Sequence, residues 1–337
     1  MRMKIKTLAV LFVAAMIVVT AAVIWIGHKQ PRKCSGGAEK IRLGACTPDA
    51  SALIYIADRR GFFKDHGLDV SIKNYEAGIL AMNDFAVDEI DITMIAEFVL
   101  VNQILKGIDL KALGTTVITN SCELIARKDR RIEKVTDLKG KKIGSVRGSN
   151  LDFFLGSFLT SRGIQMNDVQ IINLKPTEIV DAILKGTIDG AASFVPYSDT
   201  IRKGLGTNAV TWPIQGQQDF YMLLVAKAPF IKTYPSRIER LLRALIDAEQ
   251  FIKEHETEAQ KIVEERANLD HSTLISLWPK SRFEVRLDQD LLILMEHETR
   301  WAIRNKLTGS TRLPNYLDFI YIDGLEKINP DSVTIIH

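Results

Sequence analysis

Cysteine is scarce, with three residues in 337, and Cys34, Cys46 and Cys122 show no metal-ligand spacing. Cys46 ends one expected strand and Cys122 begins another, so a disulfide between them and two buried thiols both remain open. The six histidines, His28, His66, His255, His271, His297 and His337, fall in expected surface helices, turns and the terminus. There is no H-E-x-x-H, no G-x-S-x-G and no Walker A sequence. No catalytic residue, metal or cofactor is therefore expected. Internal repeats and low-complexity stretches are missing too. A clustered basic face is also lacking: six of the 44 lysines and arginines lie in the first 33 residues, leaving 38 against 41 acids. The formal charge of +3 thus gives no sign of a nucleic-acid surface.

What is present begins with a targeting segment. A basic start, MRMKIK, precedes 21 uncharged residues from Thr7 to Gly27, long enough to span a bilayer. Residues 1–33 read as a signal peptide or a signal anchor. The anchor is preferred, because the apolar run is long and ends in AVIWIG without a small-x-small cleavage site. Residues 34–39 form a linker. The body is expected in the periplasm or on the outer face of the cytoplasmic membrane, with the membrane itself a partner through the N-terminal helix.

The remainder alternates strands and helices, as an α/β fold does, and 337 residues suggest two lobes. Expected helices include Asp49 to Phe63, Phe98 to Lys106, Asn150 to Ser161 and one long amphipathic run, Ser236 to Ala267. Buried strands include DITMIA, IGSV, GAASF and FYMLLVAK. The stretch Leu138 to Leu159 organises the rest: a strand, a tight loop at Gly148, and a helix whose start is marked by Ser149 and Asp152 in capping-box spacing. Backbone N–H groups at such a helix start can hold an oxyanion.

Four segments in order, PDASALIYIADRRGFFKDHGLDV, DEIDITMIAEFVLVNQILKGIDLKAL, VTDLKGKKIGSVRGSNLDFFL and ILKGTIDGAASFVPYSD, resemble the periplasmic solute-binding proteins of the sulfonate, nitrate and taurine type. That group includes binding proteins for thiamine-precursor pyrimidines. The resemblance covers Lys40 to Ile336. It implies the two-lobed type II periplasmic-binding-protein, or Venus-flytrap, fold, with Glu123 to Lys128 and Phe220 to Lys227 as crossover hinge strands. Residues 40–125 and 219–337 would form lobe 1, and residues 126–218 lobe 2. A small-molecule ligand would lie between the lobes and pass to an ABC-transporter permease.

Carried onto this chain, the resemblance places the ligand-binding loops at Asp49, Ala50 and Ser51; Glu97 and Phe98; Gly148, Ser149, Asn150 and Asp152; Phe194, Pro196 and Tyr197; and Tyr221. Asp152 stands where many relatives have histidine, and Val195 where many have an acid. Two acids, Glu97 and Asp152, near the helix start oppose a bare anion such as nitrate. They suit an amino-sulfonate, a small zwitterion or an aminopyrimidine. A competing expectation is a membrane-anchored sensory module that signals to a partner instead of delivering solute.

Overall fold

The computed structural model describes residues 37–46 and 50–337. The expected N-terminal anchor and Asp49 lie outside them. Among the described residues no helix is long and apolar enough to cross a membrane.

Two sheets organise the chain. The first segment runs β1 (Glu39–Cys46), α1 (Ala52–Arg60), α2 (Phe62–Asp65), β2 (Leu68–Tyr75), α3 (Gly78–Ala86), β3 (Ile92–Ala96), α4 (Glu97–Leu105) and β4 (Leu110–Thr119). The middle segment runs β5 (Glu123–Arg127), β6 (Lys142–Ser145), α5 (Asn150–Ser161), β7 (Gln170–Asn173), α6 (Pro176–Lys185), β8 (Gly190–Ser193), α7 (Tyr197–Leu205) and β9 (Ala209–Pro213). The last runs β10 (Phe220–Lys227), α8 (Ala228–Thr233), α9 (Pro235–Glu254), α10 (Glu256–Ala267), α11 (His271–Leu277), β11 (Ser281–Arg282), α12 (Gln289–Arg304) and α13 (Ile322–Glu326). The six-stranded sheet has the order β11-β4-β10-β3-β1-β2, and the five-stranded sheet the order β7-β6-β8-β5-β9.

Burial follows position in the sheet. Central β3, ITMIA, is buried at every residue because helices cover both faces, and such strands read as unbroken apolar runs. Edge strand β2, LDVSIKNY, instead alternates partly buried and exposed positions after its buried Leu68. β1 pairs in parallel with β2 and β3, whereas β10 runs antiparallel between β3 and β4. The second sheet repeats the plan: β6 is parallel to β7 and β8, and β5 lies antiparallel between β8 and β9. An antiparallel strand thus interrupts the parallel set of each sheet, β10 in the first and β5 in the second, and short β11 adds another antiparallel strand at the edge of the first.

Three expectations are corrected by this topology. The two expected crossover strands are not themselves the links, because each pairs wholly within one sheet: β5 with β8 and β9, β10 with β3 and β4. The chain passes between sheets through residues 120–122 and 214–219. The helix expected from Asp49 to Phe63 stops at Gly61, whose φ of 79° lets its N–H reach back to Ala57 and Asp58 carbonyls. The helix expected over Ser236 to Ala267 breaks at His255, with φ −139° and ψ 46°. The bend allows both pieces, α9 and α10, to pack against α1.

Gln215 ties the two links together. Its Oε1 accepts the backbone N–H groups of Ser121 and Cys122, each at 2.7 Å. Its Nε2 donates to the carbonyls of Thr119 (3.3 Å) and Gln218 (3.0 Å). Asn120 Nδ2 donates to the carbonyls of Gly216 and Gln218.

Candidate functional site

The strand ends of the two sheets face each other, and a narrow cleft lies where they meet. Its walls come from Cys46 at the end of β1, Ala96 at the end of β3, Thr119 and Ser121 around the first link, and Phe220 and Met222 of β10. Ala50, Ala77, Gly78, Ile79 and Val99 complete the first-lobe side; Ser149, Asn150, Phe194 and Val195 form the second. This is the position beyond strand carboxyl ends where open α/β sheets take ligands. Gly78 is required there: a Cβ would sit 2.8 Å from the Met94 carbonyl oxygen. Only glycine lets α3 start this close to β3.

The cleft's described walls carry no charged side chain. Its polar groups are hydroxyls of Thr119, Ser121 and Ser149, the Asn150 amide and the Cys46 thiol, set among apolar surfaces. The void left between the lobes is small, about 30 Å³, enough for a couple of water molecules.

Few polar contacts hold the lobes together. Asn102 Nδ2 donates to the Gly148 carbonyl at 3.1 Å. Thr177, at the start of α6, donates its N–H and its hydroxyl to the Glu76 carboxylate at 3.1 and 3.0 Å. The largest contact is aromatic. Trp301 of α12 meets Phe98 and Phe153 at ring distances of 5.6 and 5.4 Å, and lies over Gly156 of α5. A Cβ at Gly156 would stand 2.3 Å from the indole ring. Gly156→Ala gains up to about 1 kcal/mol of helix propensity but overpacks a rigid ring at about 1–3 kcal/mol. The net expectation is a loss of about 1 kcal/mol in denaturant unfolding, with weakened closure visible as a larger radius of gyration in solution scattering. A variant at least as stable and as compact as the parent would contradict this packing.

The structure brings some of the anticipated residues together and leaves others outside. Ala50, Ser149, Asn150 and Phe194 line the cleft. Ser51 is turned inward, its hydroxyl donating to the Cys46 carbonyl at 2.8 Å. Phe98 is fully buried in the aromatic cluster. Gly148, Pro196 and Tyr197 stand behind the walls, Tyr197 packing edge-on against Phe194 at 5.6 Å. Tyr221 faces a separate groove beside Arg282, Asp290 and His297.

Neither carboxylate faces the cleft. Asp152 is 2% exposed and its Oδ2 accepts the Gly148 N–H at 2.6 Å, with Arg147 Nε 3.5 Å away. Burial raises its pKa, and the Gly148 N–H and Arg147 oppose the rise. Ser149 Oγ accepts the Leu151 N–H at 3.2 Å, so the cap is built one residue earlier than the expected box on its acidic side. The oxyanion seat is correspondingly smaller than expected. The N–H groups of Arg147, Gly148, Ser149 and Leu151 already have acceptors, at Asn173 Oδ1, Asp152 Oδ2, the Val146 carbonyl and Ser149 Oγ. Among the described residues only the Asn150 N–H of that loop is left for a ligand.

Glu97 is buried completely behind the cleft. Its Oε2 accepts the Tyr221 N–H at 2.9 Å, and the carboxyl of Glu298 on α12 is its acidic neighbour. Burial pushes Glu97 up to about 8, with the Tyr221 N–H working against the shift. Glu298, equally buried and facing the Glu97 charge, is raised well above the carboxyl range. The two acids lie together, buried where α12 packs on the start of α4.

Residues 49–259 match the family described as NMT1/THI5 like. The chain belongs to that family. Binding proteins of Brucella abortus are 24% identical to it over 204 residues, 60% of this chain and 63% of theirs. The chain thus spans under two thirds of the length of those relatives. A candidate aliphatic-sulfonates-binding protein of Bacillus subtilis is 24% identical over 269 residues, covering 77% of this chain and 80% of that one. Among solved structures, the alkanesulfonate-binding protein SsuA of Xanthomonas axonopodis pv. citri bound to MOPS superposes with a TM-score of 0.74 at 16% identity. It covers 85% of this chain and 99% of its own. The desulfurization enzyme DSZB also shares the fold, with a TM-score of 0.63 at 15% identity, 86% of this chain and 98% of its own. The NMT1/THI5-like chain therefore has the mixed α/β fold of periplasmic binding proteins, a fold that one enzyme also uses.

Sequence reasoning missed Cys46, Ala77 to Ile79, Ala96, Val99, Thr119, Ser121, Phe220 and Met222. A signal existed for two groups. Glu76 to Ile79 follow a strand as the other site loops do, and residues 119–121 leave one lobe for the other, where any interlobe ligand must pass.

Proposed function

We propose that the protein is an extracytoplasmic solute-binding protein that captures a small organic molecule by lobe closure and delivers it to an ABC importer. The observation that carries this reading is the interlobe cleft at the strand ends, walled by neutral hydrogen-bonding groups and apolar surface. Such a site suits a ligand with one compact accepting or anionic head and an apolar or flat body. Sulfonates, small zwitterions and aminopyrimidines have that form. The names of the relatives support the same class and a periplasmic setting. The nitrogen-bearing preference rested on Glu97 and Asp152, and with both turned away from the described walls it loses that support.

A thermal-shift series with taurine, alkanesulfonates, nitrate, bicarbonate, aminopyrimidines and amino acids tests this. A ligand at 100 times its dissociation constant adds about 2.7 kcal/mol, a shift of several degrees. Asn150→Asp places a carboxylate at the cleft, and against an anionic head its repulsion lowers affinity more than about tenfold. A shift with an organic ligand that Asn150→Asp abolishes supports the cleft. No shift with any member, or one indifferent to Asn150→Asp, sinks the reading.

A further inference from the structure

A second groove opens between the lobes on the far side of Ile79, the one side chain that lines both spaces. It is far roomier than the cleft, about 800 Å³, within the range of sites that take drug-sized molecules. Its floor is apolar: Ile79, Met82, Phe85 and Ile108 from the first lobe, Val146 and Leu174 from the second. Its rim is cationic, with Lys106 and Lys227 on one lobe and Arg147 and Lys175 on the other.

These charges are not equally occupied. Lys227 Nζ is held by Asp88 at 2.6 Å, and Arg147 shares Asp152. Lys106 and Lys175 have no ion-pair partner among the described residues and are exposed. The one acid of the lining, Glu178, already accepts the Lys175 N–H at 2.9 Å. A further observation concerns Gln103, which lines the groove and is 5% exposed. Among the described residues no protein group hydrogen-bonds its side-chain amide. Its amide atoms are not fully buried, so they are open to a group bound in the groove.

We propose that this groove is a second binding site, for an amphipathic organic anion whose apolar body lies on the Ile79–Leu174 floor. Its acidic head meets Lys106 and Lys175, and the Gln103 amide donates to it. The occupant touches both lobes, so its binding is linked to closure and reciprocally to the solute in the cleft. The inference rests on residues other than those of the proposed solute site, apart from Ile79.

Calorimetric titration of the full chain with sodium octanoate, against 1-octanol at matched concentration, tests it. Octanoate is expected to bind at least tenfold more tightly than the alcohol and to weaken as salt rises. Lys106→Glu with Lys175→Glu, both on the surface and remote from the cleft walls, is expected to cost octanoate at least tenfold. Gln103→Leu is expected to weaken it as well. Equal affinity for the alcohol, indifference to the double charge reversal, or no heat at millimolar octanoate overturns the proposal. The two sites fail separately. Solute shifts that persist in a chain deaf to octanoate remove only the groove, and octanoate binding without any solute shift removes only the cleft reading.

Discussion

Replacing Glu298 by glutamine raises the unfolding free energy by about 2–4 kcal/mol at pH 8 and leaves it within about 0.5 kcal/mol of the parent at pH 4.5. The cause is the pair of acids buried between α4 and α12. Glu97 is held up to about 8 by burial, and Glu298 is raised well above the carboxyl range by burial and by the neighbouring charge. In the unfolded chain both carboxyls titrate near their ordinary value. Between about pH 4.5 and 8 the unfolded state therefore releases protons that the folded state keeps. A raised carboxyl contributes stability that is complete below its unfolded pKa and is lost as pH climbs through the folded one. The parent should lose stability across that window. Glutamine has no proton to release, and its amide can donate to Glu97 while the Tyr221 N–H continues to do so. Glu97 can then ionise with two donors and no like charge beside it.

Urea titrations of parent and variant at pH 4.5, 6 and 8 measure this directly. The two curves should diverge with pH, with the parent the less stable at pH 8. A variant no more stable at pH 8, or one displaced equally at all three values, would falsify the description of two raised, mutually repelling carboxyls. The pH slope of the parent alone is a second check, since it needs no substitution and cannot be confused with a packing change.

The pair also shows what a sequence can and cannot carry. Continuous apolar runs such as ITMIA and FYMLLVAK announce strands covered on both faces, and the capping residues around Ser149 mark the start of α5. Their order along the chain was enough for the fold. Side-chain direction was not. Glu97 directly follows a strand at the site, yet a helix begins at that residue and turns its carboxyl back onto Tyr221. Asp152 has the spacing of a cap and acts as one, which removes it from the cleft. Glu298 lies some two hundred residues from its partner, on a helix that reads as ordinary amphipathic surface. Only the packing of α12 on α4 brings the two acids together, and no local pattern encodes that contact. The fit of Trp301 over Gly156 has the same origin.

Gln215→Leu is expected to cost about 2–4 kcal/mol, because two buried backbone donors lose their shared acceptor at once. Ser121 and Cys122 are 9% and 1% exposed, so water cannot readily replace the lost oxygen. The Thr119 and Gln218 carbonyls lose the matching donor. Leucine nearly conserves volume, so cavity formation adds little and the loss reports on the hydrogen bonds. The position matters because Gln215 sits on one link between the sheets and grips the other, fixing how the chain leaves β4 for β5 and how it leaves β9 for β10. Loosening it should change the freedom of the lobes as well as the stability. Hydrogen exchange separates the two effects: the Ser121 and Cys122 amides should exchange at least tenfold faster in the variant, while the amides of β3 slow or quicken only with global stability. Gln215→Glu is the informative companion. It keeps an acceptor for both amides but loses the donor to the carbonyls and adds a buried charge, so it should restore amide protection without restoring stability. Unchanged exchange at Ser121 and Cys122 in the leucine variant would mean that the links are held by their strands and not by this side chain.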